Sequence, residues 1–201
     1  MSSSSALPFS QASENNKRPI IEVLRPHLSD ACSVLEIGSG TAQHGEYFLE
    51  QIPGLHWNCS DIPSNLSITN QRISALGLTN LPEAIPLDVN ESNWRCGFHD
   101  RVFTANSLHI MSADSVSNFF RGLHQCLSKG GMLFLYGPFK YGGDFTTESN
   151  ARFDEWLRQR DPQSGIRDFE AIKKLATEAG LTFQEDKPMP ANNQLLLFTM
   201  L

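Results

Sequence analysis

Apolar residues along this chain recur in two rhythms. Short runs with β-branched or aromatic members stand at 33–37, 56–60, 83–87, 101–105 and 132–136, each followed by a polar residue or a glycine. Between them, segments at 44–51, 64–76 and 112–127 space their apolar residues three or four positions apart. The first rhythm predicts strands and the second predicts helices. An opening helix, interrupted early, is expected over 11–28, with Pro19 in a first turn and Pro26 at the end. This alternation predicts a parallel sheet with helices on both faces. Right-handed crossovers then gather the C-terminal ends of the strands on one edge, where ligands bind in such sheets.

Local punctuation agrees with this division. Gly77 is expected to close one helix and Ser112 to cap the next. Lys129-Gly130-Gly131 predicts a tight turn into the fifth strand, and residues 137–144, with Pro138 and three glycines, predict a loop. Helices are expected at 147–160 and 169–179, with Asp168 and Gly180 at the ends of the second. Two last strands, 181–185 and 194–200, are joined without room for a helix and should be antiparallel neighbours. The expected fold is α/β: a seven-stranded, mostly parallel sheet with a reversed C-terminal strand. One domain over 1–201 is expected, with 1–10 flexible.

The stretch Ser33 to Gly45 carries the first chemical signal. A strand-like run ends at Glu36-Ile37 and meets Gly38-Ser39-Gly40. Gly38 and Gly40 admit a positive φ and let a ligand approach the backbone, ahead of a helix N-terminus with free N–H groups. A dinucleotide fingerprint would need a small residue at Gln43, whereas the third glycine here is Gly45. That spacing, Glu36 and the C-terminal hairpin argue against a nicotinamide enzyme. Glu36 suits an amine-bearing ligand, and an orienting role beside the turn, better than a pyrophosphate.

Acidic residues end the next two strands. Asp61, 23 positions after Gly38, is placed to accept from ribose hydroxyls. Asp88 can accept from an adenine amine while the Val89 amide serves a ring nitrogen. Each aspartate alone also suits a plain turn; the set at one sheet edge outlines a pocket for an adenosine carrying an amino-acid tail, as in S-adenosylmethionine.

Composition narrows the partners. A formal net charge of −6 argues against a nucleic-acid partner. Four scattered cysteines without a C-x-x-C pair predict free thiols in a reducing compartment and no metal site. The Ser-rich start lacks signal-peptide features and no run approaches a membrane span, so the cytosol is expected, with no membrane partner.

The string Val34 to Thr41 resembles motif I of class I S-adenosylmethionine-dependent methyltransferases, with Asp61 and Asp88-Val89 placed like the ribose and adenine contacts of that family. A narrower resemblance, to the DUF938 family of methyltransferase-like proteins, covers nearly the whole chain. It rests on Asn16-Lys17-Arg18-Pro19-Ile20, Gly38-Ser39-Gly40-Thr41-Ala42-Gln43-His44, Ser60-Asp61, Ala105-Asn106-Ser107-Leu108-His109-Ile110, Tyr136-Gly137-Pro138-Phe139, Ser149-Asn150, Phe153-Asp154 and Gly165-Ile166-Arg167-Asp168.

The resemblance implies a methyltransferase fold, with S-adenosylmethionine as cofactor and S-adenosylhomocysteine as product. Expected cofactor contacts are Asn16, Lys17, Glu36, Gly38, Ser39, Gly40, Asp61, Asp88, Val89 and Asn106. Asn16 and Lys17 belong to a polar segment that is either a solvated helix entry or a lid.

Asn106 and His109 are the catalytic candidates, Asn106 to align an acceptor and His109 as general base, because an imidazole titrates near neutrality. His109 packed beneath the following helix is the competing reading. Tyr136, Phe139 and Tyr141 could wall an acceptor pocket, with Asn150 and Arg152 at the next helix. Arg152 or Arg167 would suit an anionic acceptor. The Asn/Asp-Pro-Pro-Tyr/Phe motif of base methyltransferases is absent. The expected protein is a monomeric or homodimeric methyltransferase of a small molecule; the alternative is a non-catalytic binder of the cofactor or its product.

Overall fold

The structure, a computed structural model, describes residues 6–201. Residues 1–5, part of the segment expected to be flexible, lie outside the described residues. Helix α1 (Gln11–Leu24) leads into β1 (Ser33–Ile37), α2 (Gln43–Gln51), β2 (His56–Asp61), α3 (Leu66–Leu76), β3 (Ile85–Pro86), β4 (His99–Ala105), α4 (Ala113–Gly122) and β5 (Leu127–Gly137). The C-terminal third adds β6 (Phe139–Tyr141), β7 (Asp144–Phe145), α5 (Glu148–Arg160), β8 (Arg167–Asp168), α6 (Phe169–Glu178), β9 (Leu181–Met189) and β10 (Asn193–Met200).

Seven strands form one sheet in the order β3-β2-β1-β4-β5-β10-β9. Strands β1 to β5 pair in parallel, whereas β10 is antiparallel to both β5 and β9. The expected sheet and its reversed last strand are therefore present. Strand periodicity sorts its side chains into two buried layers. Leu35, Ile37, Leu133 and Leu135 pack toward α4 and α6, with Phe119, Phe120 and Ile172. Val34, Phe134, Leu195 and Leu197 pack toward α1 and α2, with Ile20, Ile21 and Phe48.

Several local expectations change. Pro19 stands inside α1 rather than in its first turn. The helix starts at Gln11, as expected, where the Ser10 hydroxyl accepts from the Ser13 amide as N-cap, but it runs uninterrupted to Leu24 because packing on α2 carries it past the N–H that proline lacks. Residues 8 and 10, expected to be flexible, are held: the Pro8 carbonyl accepts from Arg72 Nη2 at 2.7 Å and the Ser10 amide donates to Gln43 Oε1 at 2.6 Å.

The Gly130-Gly131 turn lies within β5, as a bulge between the His99–Leu127 and Arg101–Met132 pairs. Residues 137–144 do not form a plain loop. They contribute β6 to a second sheet, ordered β7-β6-β8. Gly45, the displaced third glycine, serves packing: a Cβ there would lie 2.7 Å from the Trp57 ring, so α2 can sit close on β2 only without one.

Candidate functional site

A cavity of about 640 Å³ opens at the C-terminal ends of β1 to β4. Ile37 through Thr41 form its floor. Gly38 takes φ +77° and Gly40 φ +53°, as the close turn requires. A Cβ on Gly38 would meet the Ser107 hydroxyl at 2.6 Å, which ties the β1 turn to the turn after β4. Ser39 locks the same turn: its hydroxyl donates to the Glu36 carbonyl at 3.2 Å and accepts from the Ser60 amide at 3.0 Å.

Asp61 closes β2 and lines the cavity, but most of its capacity is already engaged. Its Oδ2 accepts from the Gly40 amide at 2.8 Å, and Oδ1 accepts from the Ile62 amide and Asn65 Nδ2 at 2.8 and 3.0 Å. A carboxylate has about four lone-pair sites, so one is left for a ligand hydroxyl, where a pair of ribose bonds was expected. Asp88 and buried Val89 line the cavity beyond β3. Asp88 Oδ1 accepts from the Asn90 amide at 2.9 Å, and its other oxygen takes no protein hydrogen bond among the described residues. Apolar Ile37, Ile62, Leu87 and Val89 complete this side.

Glu36 does not reach the cavity. On β1 its side chain shares the face of Val34, one residue out of phase with Leu35 and Ile37, and so points under α2. There it is 1% exposed. Its Oε1 pairs with His44 Nδ1 at 2.8 Å, and Oε2 accepts from Trp57 Nε1 at 3.0 Å. His44 Nε2 meets Asn16 Oδ1 at 2.8 Å. Glu36 and Asn16, expected at the cofactor, thus form a buried polar block with His44, and of the three only His44 lines the cavity. Lys17 bonds Glu14 at 2.8 Å and lies over the Tyr47 ring. That lysine, helped by Gln43, holds the Glu14 carboxyl below its ordinary range. Ser10, Ala12 and Ser13, at the start of α1, do line the cavity.

Past β4, Asn106 lines the cavity in a left-handed conformation (φ +56°), which asparagine tolerates. His109 is 6% exposed and is not among the lining residues. Its ring meets Phe153 edge-on at 5.3 Å. Burial, and then the Arg167 charge, lower its pKa to about 4. That makes it neutral at physiological pH but a weak base; the ring is packed, but against Phe153 of α5 and not beneath the following helix α4.

None of the five expected acceptor-wall residues lines the cavity. Tyr136 shares the face of Phe134 and is buried against the α1–α2 layer, with its phenol pushed up to about 12 by burial. Phe139 is 2% exposed in the opposite layer. Tyr141 donates to Asp186 Oδ2 at 2.6 Å and stacks on Phe169. Asn150 Nδ2 donates to Thr146 Oγ1 and the Asn192 carbonyl. Arg152 is exposed beside Glu148, at 3.6 Å.

The wall that sequence reasoning missed comes from Ile110, Met111, Asp161 and Gln163. Arg167 holds it: its guanidinium donates to the carbonyls of Leu108 (3.1 Å), Met111 and Gln163 (2.9 Å). The Gly165 amide donates to the His109 carbonyl at 2.9 Å and the Ser164 hydroxyl to that of Ile110 at 2.8 Å. The string Gly165-Ile166-Arg167 was the available signal, but it says nothing of which carbonyls it meets.

Among solved structures, the fold is similar to that of a putative O-methyltransferase from Nostoc punctiforme PCC 73102, with TM-score 0.80 and 16% identity over 94% of this chain and 56% of that one. It is similar to the S-adenosylmethionine-dependent methyltransferase SibL in its apo form, with TM-score 0.78 and 20% identity over 94% and 55%. It is also similar to PigF with SAH, with TM-score 0.77 and 13% identity over 92% and 56%. This chain spans a little over half the length of each. These likenesses establish the class I methyltransferase fold. The family model described as "Protein of unknown function (DUF938)" matches residues 7–200, nearly the whole chain, and the protein belongs to that family.

Proposed function

We propose that this protein is an S-adenosylmethionine-dependent methyltransferase acting on a small molecule. The observation that carries the reading is the cavity itself. One volume joins the Gly38–Gly40 turn, the Asp61 and Asp88 carboxylates, Val89 and Asn106 at the ends of four strands of a methyltransferase fold. Its donor set fits the cofactor: apolar Ile37, Leu87 and Val89 beside a free Asp88 oxygen suit an aminopurine, and one remaining Asp61 site suits a sugar hydroxyl.

When bound, the cofactor supplies an electrophilic sulfonium methyl. The chain's own part is alignment. The glycine turn leaves room at the backbone, Asp61 and Asp88 orient polar groups, and the loop after β4 limits the direction of approach. No histidine of ordinary basicity is available at His109, which favours an acceptor atom that is already nucleophilic. The same observation favours a second reading, a binder of cofactor or product without catalysis.

Calorimetry with S-adenosylhomocysteine tests the first reading, with micromolar affinity expected; folded protein that releases no heat overturns it. Transfer of labelled methyl from the cofactor into a metabolite extract would then separate enzyme from binder. Binding without any transfer favours the binder.

A further inference from the structure

The β4–α5 side of the cavity has a chemical character of its own. Asp161 and Gln163 line it there together with Ile110 and Met111, whose segment Ser164 and Arg167 tie to theirs. Asp161 Oδ1 accepts from the Gln163 amide at 2.9 Å, while Oδ2 takes no protein hydrogen bond among the described residues. Ile110 is 60% exposed although it lines a cavity, which leaves an apolar surface for a ligand to cover.

No lysine or arginine lines the cavity among the described residues, whereas three aspartates do. Of the four nearby cations, three are ion-paired, and Arg167 uses its donors on carbonyls. Arg167 caps three carbonyls, Arg158 pairs with Asp154 at 2.7 Å, and Lys17 pairs with Glu14. Arg72 holds Glu46 and the carbonyls of Thr41 and Pro8. A bound S-adenosylmethionine carries one net positive charge, too little to offset three carboxylates. An anion entering here would meet like charge and no lining cation among the described residues, an arrangement that costs affinity.

From this placement we infer that the acceptor is a neutral or cationic molecule with an apolar body against Ile110 and Met111 and an amine or hydroxyl donating to Asp161 Oδ2. Carboxylate- and phosphate-bearing acceptors are disfavoured. The inference rests on the cofactor reading above and names the substrate class of the same site.

The test uses the full chain saturated with S-adenosylhomocysteine, whose binding is measured first by calorimetry. Saturation-transfer NMR then compares three probes of closely similar shape: phenylethylamine, phenylethanol and phenylacetate. The amine and the alcohol should bind, and phenylacetate should bind roughly tenfold more weakly or not at all. Asp161→Lys should reverse the order of amine and carboxylate. Asp161 closes the turn after α5, so Gln163→Lys serves as a second variant with the same expected reversal if the first does not fold.

Failure to bind S-adenosylhomocysteine overturns the cofactor reading and this inference with it. Normal product binding overturns this inference alone if phenylacetate binds as well as the amine, if neither amine nor alcohol binds, or if no folded lysine variant shifts the order.

Discussion

The β1–β3 side of the cavity and the β4–α5 side differ in how far apart in the chain their parts lie. On the first side, the Gly40 amide reaches Asp61 across 21 residues, and Glu36 reaches His44 across eight. Both contacts lie within the one β1–α2–β2 crossover unit. On the second side, Ser164, Gly165 and Arg167 hold the carbonyls of Leu108 to Met111 across more than 50 residues. The first side rests on a buried polar block, the second on backbone carbonyls capped by one guanidinium. Local contacts leave their mark in residue spacing; a wall assembled from distant segments does not.

The largest break should come from removing the carboxylate of the polar block. Glu36→Ala leaves His44 Nδ1 and Trp57 Nε1 buried without their acceptor. Each buried donor left unsatisfied costs about 1–3 kcal/mol. Denaturant unfolding should show that loss, with S-adenosylhomocysteine affinity falling as α1 and α2 loosen. A loss below about 1 kcal/mol would mean that the block does not hold this side together.

His109 should make the second side sensitive to acid. The folded chain keeps the ring neutral down to about pH 4, whereas an ordinary histidine gains its proton near 6.5. Between those values the unfolded chain binds more protons, so stability rises with pH there. The contribution is complete above about 6.5 and is lost as pH falls through 4, in all about 3 kcal/mol. His109→Leu should flatten that part of the stability–pH curve. An unchanged slope would place the acid sensitivity elsewhere.

These two residues also show what the sequence could convey. The strand ends, the sheet and its reversed last strand were legible because period-two runs and glycine punctuation are local properties. The face of a side chain is legible in the same period. Glu36 lies in phase with Val34, and Tyr136 with Phe134, so both belong to the α1–α2 layer rather than to the cavity. Phe139 and Tyr141 misled for another reason. Pro138 and the glycines suggested a loop, but pairing of β6 with β7 and β8 turns that segment into a small sheet. Nothing local announces that pairing, nor the meeting of Ser164 with Ile110.

A smaller effect on stability sharpens the first side. Gly38→Ala must hold φ +77° and bring a Cβ to 2.6 Å from the Ser107 hydroxyl. The strain is worth about 1–3 kcal/mol, and moving the turn should weaken S-adenosylhomocysteine at least roughly tenfold. Adding Ser107→Gly should recover the steric part and leave the cost of the backbone. Full recovery would show that crowding alone requires this glycine.

The smallest effect is expected at Arg152, which tests where the second side ends. Its side chain is 70% exposed and its partner Glu148 is 94% exposed, at 3.6 Å. Solvent screens such a pair, and one turn of helix supplies about 0.3–0.5 kcal/mol from it. Arg152→Ala should therefore leave the melting temperature nearly unchanged. Affinity for S-adenosylhomocysteine and the order of amine over carboxylate probes should also stay as in the parent chain. An anion-binding arginine would behave differently, because its removal would weaken the carboxylate probe selectively. A selective loss of phenylacetate binding would extend the acceptor site over the outer face of α5 and return a cation to it. Without that loss, the wall ends at Asp161 and Gln163, and Asp161 is its one charged lining side chain among the described residues.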